Sequence, residues 1–419
     1  MTALPDLMPV AKARARLKDF LAPVRETETV PLHQALGRVL AQPVHTSIPL
    51  PLFDNSSMDG FAVRAEDTRG ASQEAPVVLE VIGESRAGKP FHGQVGPGQA
   101  VRINTGAALP PGADAVVPVE DTDVPPATPN HALPAKVRIY RPVRPGEYVR
   151  PAGQDLPPGA QVIPAGVRLR PQEIGMLAMV GETRIRVWRR PQVVILPTGN
   201  ELRPPEAPLA FGEIHESNGH TLSALVQTAG GEALPFAVVP DTPQAVRQAL
   251  VEAVAQKPDL IITTGGVSLG AHDFVRAVLQ EEGDLLLWRI KMRPGRPLAV
   301  GRFRDVPVLA LPGNPVSAFV TFEVFLRPAL HRMGGVAYWQ RPTLRVRLAE
   351  PVASDGRESY LRVLLSRKEE GWEARLTGHQ GSGNLHSLVL AHALIVVPAD
   401  VTHLPAGAWV EAWPLFPGI

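Results

Sequence analysis

The sequence predicts a multidomain α/β protein, in which a central doubly wound parallel α/β domain is flanked by a small helical part and two small β domains. The chain has 419 residues, more than one ordinary hydrophobic core supports. Between residues 190 and 333, apolar runs of strand length alternate with helical patterns, which indicates a parallel sheet with right-handed crossovers. Before and after that stretch, short apolar runs are separated by Gly, Pro and Asp, a pattern typical of small β domains.

The parts that flank the central domain differ from one another in pattern. The N-terminal segment shows helical spacing, whereas the segment that follows it and the C-terminal end show short strands. The predicted elements are helices at 10–21 and 32–40 (the second ending near Pro43), strands at 77–81 and 115–119, a surface loop at 125–130, a strand-like run at 162 followed by a helix to 180 with Pro171 in its first turn, and strands at 344–348 and 394–397. In the central domain, helices are predicted at 220–229, 243–255, 273–280 and 316–333.

Composition excludes several classes of function. The formal net charge of +1 gives no field that favours nucleic acid or an anionic membrane as a partner. The chain has no cysteine, which excludes disulfides, thiolate nucleophiles and cysteine-ligated metal centres. No apolar stretch is long enough to span a bilayer and no signal peptide is visible, so we expect a cytoplasmic location.

Three glycine-rich turns, each directly after an apolar run, carry the strongest chemical signal. Because the carboxyl ends of parallel strands meet at one edge of a sheet, we expect these turns to converge there. Glycine lets the backbone approach an anion closely, so the pattern indicates a site for a phosphorylated ligand, with a diphosphate or a nucleotide as candidates. The turns are Pro197-Thr198-Gly199-Asn200-Glu201, Thr263-Thr264-Gly265-Gly266-Val267-Ser268-Leu269-Gly270 and Leu311-Pro312-Gly313-Asn314-Pro315-Val316-Ser317.

The second turn favours phosphate binding through the amides of Gly265 and Gly266 and the hydroxyl of Ser268, although a plain strand-to-helix turn is the alternative. It lacks the Gly-Lys-Ser/Thr ending of a P-loop and is not a Rossmann motif. Carboxylates at the same edge, Glu201, Asp241 and Asp273, suit a hard divalent cation that bridges phosphates. Helix capping is the alternative for them and applies best to Asp241.

Arg293 and Arg296, around Gly295, are predicted to bind a phosphate or another oxyanion, with a solvent-exposed basic hairpin as the alternative. The histidines show no metal-binding spacing, and no nucleophile elbow is present. For four further polar motifs, spacing alone assigns no function. They are the segments 55–62, 104–106, 153–155 and 378–383.

Taken together, the motifs resemble the MoeA family of molybdopterin molybdenumtransferases, which is similar to the E domain of gephyrin. They occur in family order over nearly the whole chain. The matching segments are Ser57-Met58-Asp59-Gly60-Phe61-Ala62-Val63, Asn104-Thr105-Gly106-Ala107, Gly153-Gln154-Asp155, the three glycine turns with Ala271-His272-Asp273, Pro294-Gly295-Arg296-Pro297 and Gly378-His379-Gln380-Gly381-Ser382.

The resemblance implies a four-part subunit in a homodimer, with a cleft that the Asp59-bearing β domain of one subunit shares with the other subunit. It also implies that the central domain is similar to molybdopterin-binding domains, and that a molybdopterin adenylyltransferase is a transient partner. The implied parts are residues 1–43 with 149–187 (helical), 44–148 (β), 188–335 (central α/β) and 336–419 (C-terminal β).

The implied reaction converts adenylylated molybdopterin and molybdate to molybdenum cofactor and AMP. The residues carried over from the family fall into three groups. Those implied in catalysis are Asp59, Thr105, Glu201 and Asp273, and Asp155 matches a further acidic family position; those implied in binding Mg²⁺ are Glu201, Asp241 and Asp273; those implied in binding the pterin phosphate, nucleotide or oxyanion are Gly265, Gly266, Ser268, Arg293, Arg296, Gly313, Asn314, Ser317, Arg362 and Ser382. The family often has Lys at the positions of Arg293 and Arg296, so binding rather than acid–base work is expected of them.

Three alternatives to this reaction remain at this point. One is a scaffold protein that keeps the fold without the chemistry, as the receptor-binding E domain of gephyrin suggests. Another is a related adenylyltransferase, against which the flanking β domains argue. A third is an enzyme that inserts tungstate, because the two oxyanions have nearly equal size and charge. The intact carboxylates Asp59, Glu201 and Asp273 favour an enzyme over a scaffold.

Overall fold

A computed structural model describes residues 7–125, 133–235, 237–266 and 274–415. The chain divides into two compact units: residues 1–42, 165–174 and 184–419 form the large unit, and residues 43–164 and 175–183 form the small unit. The four-part division implied by the resemblance stays a prediction. Over the described ranges, no helix combines the length and the apolar character that crossing a bilayer requires.

The large unit is built around a six-stranded sheet, which we call the central sheet. Four neighbouring strands are parallel, as predicted. Strand Pro297–Phe303 runs antiparallel to both of its neighbours, because a turn at Arg304 and Asp305, both with positive φ, reverses the chain after it. Across the sheet, the strand order is Glu232–Pro235, Gln192–Pro197, Leu260–Thr264, Val306–Leu311, Pro297–Phe303 and Gly283–Arg289.

Helices cover both faces of the central sheet, which explains why three of its inner strands, Gln192–Pro197, Leu260–Thr264 and Val306–Leu311, are mostly buried. This is the predicted doubly wound arrangement, and the predicted helices 10–21, 220–229, 243–255, 273–280 and 316–333 all form. One face is covered by Val10–Phe20, Asn218–Thr228 and a continuous helical segment made of Pro315–Thr321, a π-helical turn Phe322–Leu326 and Arg327–Met333; the other face is covered by Pro243–Ala255 and Phe274–Glu282.

The helix predicted at 32–40 is wrong. Only Leu32–Gln34 is helical, as a single 3-10 turn, and Gly37 has a φ of +73°, which a continuing α-helix cannot accommodate. Val39 and Leu40 then form β-bridges with Arg168 and Val187. Their apolar spacing fits a helix, but their backbones pair with extended segments. The preceding strand Thr27–Pro31 pairs with Arg184–Trp188.

The small unit contains the predicted β domain. Its five-stranded sheet has the order Ala115–Pro118, Gly60–Val63, Gln99–Ile103, Val77–Ser85 and Lys136–Ile139. Short antiparallel pairs join Asn55–Ser56 to Val149–Arg150 and Val44–His45 to Gln161–Ile163. The helix predicted with proline in its first turn is Pro171–Met179, of which residues 171–174 belong to the large unit and 175–179 to the small unit.

The C-terminal part of the large unit forms a small barrel, which we call the C-terminal barrel. It closes because strand Glu358–Lys368 pairs with both Gly371–Leu376 and Ala393–Val397. Its other strands are Leu344–Leu348, Trp409–Pro414 and Met292–Arg293, with a short pair Val352–Ala353 and His403–Leu404 and an unpredicted helix His386–Leu390. Met292–Arg293 comes from the central segment, so the predicted basic loop is anchored on this barrel.

Candidate functional site

The three glycine-rich turns meet at the carboxyl edge of the central sheet, as predicted. The amide of Gly265 donates a hydrogen bond to the carbonyl of Leu311 over 3.1 Å. A Cβ built on Gly265, whose φ is +98°, would lie 2.7 Å from the carbonyl oxygen of Thr198, and one built on Gly313 would lie 3.5 Å from the Cα of Gly265. Glycine is therefore required at position 265, and the backbones of the turns are within van der Waals contact.

The turns present backbone amides that are available to a ligand. Within the described ranges, the N–H groups of Gly266, Gly313 and Asn314 donate to no protein acceptor. Ser317, 5% exposed, lies in the first turn of the helix that follows. Unpartnered amides from neighbouring turns are the donors that phosphate oxygens need. Ser268 lies outside the described residues.

The predicted carboxylates Glu201 and Asp241 lie on adjacent segments. A bridge pairs Thr198 with Val239, and the side-chain oxygen of Asn200 accepts a hydrogen bond of 3.0 Å from the amide of Asp241. The structure thus places two hard oxygen donors at the sheet edge, which is the ligand chemistry of Mg²⁺. In the part of the chain that the structure describes, no group of three potential metal ligands is found, and Asp273, the third predicted ligand, lies outside it.

Arg362, predicted from its place upstream of the Gly-His-Gln-Gly-Ser segment, lies on strand Glu358–Lys368 of the C-terminal barrel and is fully buried. Its Nε donates to Ser387 over 3.0 Å and its Nη2 to the carbonyl of Gly381 over 3.0 Å, whereas its Nη1 has no partner in the described ranges. Burial, followed by the nearby positive charge of Arg293, lowers the pKa of Arg362 to about 10. Among the described residues no carboxylate lies within ion-pair distance of Arg362, so its charge and its unpartnered donor favour an anion as a ligand.

The segment that carries Ser382 connects Arg362 to the third glycine turn. The side chain of Gln380 accepts a hydrogen bond of 2.9 Å from the amide of Arg362 and donates one of 3.1 Å to its carbonyl. The carbonyl of Ser382 accepts a hydrogen bond of 3.0 Å from the amide of Val316. The segment 378–383, to which spacing alone assigned no function, therefore lies next to the Gly313 turn.

Arg293 and Arg296 are exposed at the edge of this region. Asp355 lies 3.7 Å from Arg293 and is also bound by Arg357. The hydrogen bond from Arg357, more than the charge of Arg293, lowers the pKa of Asp355. In the described part of the chain, no carboxylate lies within ion-pair distance of Arg296. Arg293 is thus close enough to the buried Arg362 to affect its pKa, and Arg296 lies three residues further along the same loop.

In the small unit, the predicted residues Asp59 and Thr105 are in direct contact. One carboxylate oxygen of Asp59 accepts hydrogen bonds from the amide of Thr105 (2.7 Å) and from its hydroxyl (3.1 Å). The same unit has a cleft of about 510 Å³ whose lining includes Gly106, Arg150 and Asp155. The structure therefore brings together three of the motifs to which spacing assigned no role.

Sequence reasoning missed two residues at the edge of the central sheet, Glu216 and Asn218. Glu216 is only 6% exposed and accepts a hydrogen bond of 2.7 Å from the amide of Gly219. The side chain of Asn218 hydrogen-bonds to two of the glycine turns. An Asn just before a helical pattern looks like an ordinary cap in sequence, so no signal distinguished this one.

Three family profiles match successive parts of the chain. The MoeA N-terminal region (domain I and II) matches residues 8–181, a probable molybdopterin binding domain matches residues 194–332, and the MoeA C-terminal region (domain IV) matches residues 345–415.

Full-length relatives agree with these matches. The chain is 38% identical over 413 residues to the molybdopterin molybdenumtransferase of Nostoc sp., covering 97% of this chain and 93% of that protein. It is 38% identical over 394 residues to molybdopterin molybdenumtransferase 2 of Mycobacterium tuberculosis, covering 92% and 95%. The crystal structure of the molybdopterin biosynthesis moeA protein from Pyrococcus horikoshii OT3 superimposes with a TM-score of 0.82 at 32% identity, covering 98% of this chain and 100% of that one.

Proposed function

The chain belongs to the MoeA family of molybdopterin molybdenumtransferases, and on that premise we propose that it inserts molybdate into adenylylated molybdopterin and releases AMP. In this reaction the phosphoanhydride bond is cleaved with consumption of one water. The two dithiolene sulfurs replace two oxygens of molybdate, which leave as water after protonation. The metal keeps its oxidation state, so no electron donor or acceptor is needed.

The observation that carries this proposal is the buried guanidinium of Arg362, whose Nη1 has no partner among the described residues. An unpaired buried cation is costly unless an anion compensates it. We propose that molybdate binds there and that the positive charges of Arg293 and Arg296 also attract it. Ser382 adds a hydroxyl on the adjacent segment.

The phosphates of the substrate are proposed to bind at the glycine turns. The amides of Gly266, Gly313 and Asn314, which have no acceptor among the described residues, would hold phosphate oxygens and so stabilise the charge that develops when AMP departs. Gly265 permits the close approach, and Ser317 and Ser268 are the proposed hydroxyl donors. These groups bind the phosphates as hydrogen-bond donors, and none of them has to transfer a proton.

Mg²⁺ is proposed as a cofactor held by Glu201 and Asp241, with Asp273 as the third predicted ligand. When bound, a divalent ion neutralises charge on phosphate oxygens. Asp59 and Thr105 are proposed as catalytic residues, with the Asp59 carboxylate fixed in orientation by the two hydrogen bonds from Thr105.

The proposal also includes a homodimer, transient contact with a molybdopterin adenylyltransferase that supplies the substrate, and a cytoplasmic location. Support comes from the family membership. Light scattering on the purified chain measures its mass, and a monomer at micromolar concentration would contradict the proposed assembly.

The decisive test is AMP release from adenylylated molybdopterin by the purified protein, with and without molybdate and Mg²⁺. We expect release that depends on molybdate. Repeating the assay with tungstate decides between the two oxyanions. The variant Arg362→Met, which keeps much of the side-chain volume, should abolish the molybdate dependence. Substrate binding without any release would favour the scaffold alternative.

A further inference from the structure

At the start of helix Asn218–Thr228, a residue before the helix caps one of the first amides, and the first helical side chain bonds to other segments. The residue before the helix, Ser217, would normally accept a hydrogen bond from one of the first amides through its side chain, but it makes no such bond. Here the carboxylate of Glu216 takes that role, since it accepts from the amide of Gly219 over 2.7 Å. The side chain of Asn218 is therefore free to act outside its own helix.

The side-chain nitrogen of Asn218 donates two hydrogen bonds, to the hydroxyl of Thr264 at 2.8 Å and to the carbonyl of Gly313 at 2.7 Å. An amide nitrogen carries two hydrogens, so both are used. Thr264 is the last residue of strand Leu260–Thr264, and Gly313 comes two residues after the neighbouring strand Val306–Leu311. One side chain thus joins the two turns.

The last backbone hydrogen bond of this strand pair runs from the amide of Gly265 to the carbonyl of Leu311, so Thr264 is held by the sheet whereas Gly313 lies beyond it. Past that point the sheet no longer fixes the spacing of the two turns. Because a peptide unit is planar and trans, fixing the carbonyl of Gly313 also fixes the amide of Asn314, which points to the opposite side. That amide is among those without a protein acceptor in the described ranges.

We propose that Asn218 is a positioning residue, which sets the spacing of the Gly265 and Gly313 turns and aims the Asn314 amide at a ligand phosphate. The inference rests on the proposed function, because it assigns the phosphate to these turns. Asn218 itself need not touch the ligand. Its effect is on the affinity of the phosphate-bearing part and not on that of the oxyanion.

The variant Asn218→Asp tests this idea closely, since it keeps the size of the side chain and replaces the donor by an acceptor that faces the Gly313 carbonyl. Thr264→Val removes one of the two acceptors without touching the helix. His220→Ala is the matched control, because His220 is exposed and lies in the first turn of the same helix. The probes are AMP and molybdate, each titrated separately by calorimetry.

We expect Asn218→Asp to weaken AMP binding by about tenfold or more and Thr264→Val by about threefold. The KM for adenylylated molybdopterin should rise more than kcat falls, and molybdate affinity should stay unchanged. In the double variant, the loss should be smaller than the product of the single losses, because both variants break the same hydrogen bond. His220→Ala should match the unsubstituted chain.

Equal AMP affinity of Asn218→Asp and the unsubstituted chain would overturn the inference and leave the proposed function intact. Parallel losses of AMP and molybdate affinity would also overturn it, since they would indicate a general structural role. If Asn218→Asp does not fold, Thr264→Val decides alone, and an unchanged AMP affinity in that variant contradicts the inference. An unsubstituted chain that neither binds nor releases AMP would overturn the proposed function as well.

Discussion

The carboxylate of Asp355 lies 3.7 Å from the guanidinium of Arg293 and competes for the charge that an incoming oxyanion would use. Both side chains are about half exposed, with 47% of Arg293 and 38% of Asp355 accessible. Ion pairs of this kind contribute little to stability because water screens them. Asp355 is therefore better placed to tune anion binding than to hold the fold.

Asp355→Asn should tighten molybdate binding. Removing the competing charge frees Arg293, and an exposed pair of this type is worth up to about 1 kcal/mol, which corresponds to a gain of up to about fivefold. Calorimetric titration with molybdate measures the change. Asp400→Asn is the control, because it removes the ion pair with Lys291, two residues from Arg293. Tighter binding in both variants would mean that general charge, not the Asp355 pair, is responsible.

The convergence of the glycine turns could be predicted from sequence because parallel strands impose it. Each turn follows an apolar run, and the carboxyl ends of parallel strands share one edge. The burial of Arg362 could not be predicted, since it depends on a barrel that closes through pairing of Glu358–Lys368 with Ala393–Val397. Such long-range pairing leaves no local signal in the chain.

The failed helix at 32–40 shows the limit of apolar periodicity. Val39 and Leu40 have helical spacing from Leu32, but the backbone of Leu40 donates to the carbonyl of Val167, far away in sequence. Asn218 shows a second limit, because its residue type fits a cap and only the structure reveals that Glu216 does the capping. In both cases a distant partner decides the role.

Gly265→Ala should destabilise the large unit by more than about 2 kcal/mol. The alanine would have to adopt a φ of +98°, and its Cβ would lie 2.7 Å from the carbonyl oxygen of Thr198. Urea unfolding measures the free energy. Gly313→Ala is the control: its Cβ would make an ordinary contact of 3.5 Å, so its stability should be unchanged or slightly higher. Equal losses in both variants would contradict the close approach of Gly265 to Thr198.

Asp59→Asn should lower kcat for AMP release by at least about 100-fold while the small unit stays folded. The amide oxygen can still accept from the backbone and hydroxyl of Thr105, so the turn keeps its hydrogen bonds and only the charge is lost. Asp59→Ala loses both the hydrogen bonds from Thr105 and the charge. The control is Asp67→Asn, since Asp67 also accepts from a backbone amide, that of Gly98, in the same unit. Full activity of Asp59→Asn would show that Asp59 has a structural role in the turn and no catalytic role.

His331→Phe should make the protein less sensitive to acid. Burial, followed by the positive charges of Arg168, Arg327 and Arg341, lowers the pKa of His331 to about 3, whereas an unfolded histidine titrates near 6.5. Between those pH values the unfolded chain takes up a proton that the folded chain does not, so stability falls as pH falls, by up to about 1.4 kcal/mol per pH unit. Phenylalanine keeps a ring to stack on Trp339, as His331 does at 4.7 Å, and removes the titration. Urea unfolding from pH 7 to 4 should therefore show a shallower slope, and the same slope as the unsubstituted chain would mean that His331 is charged when folded.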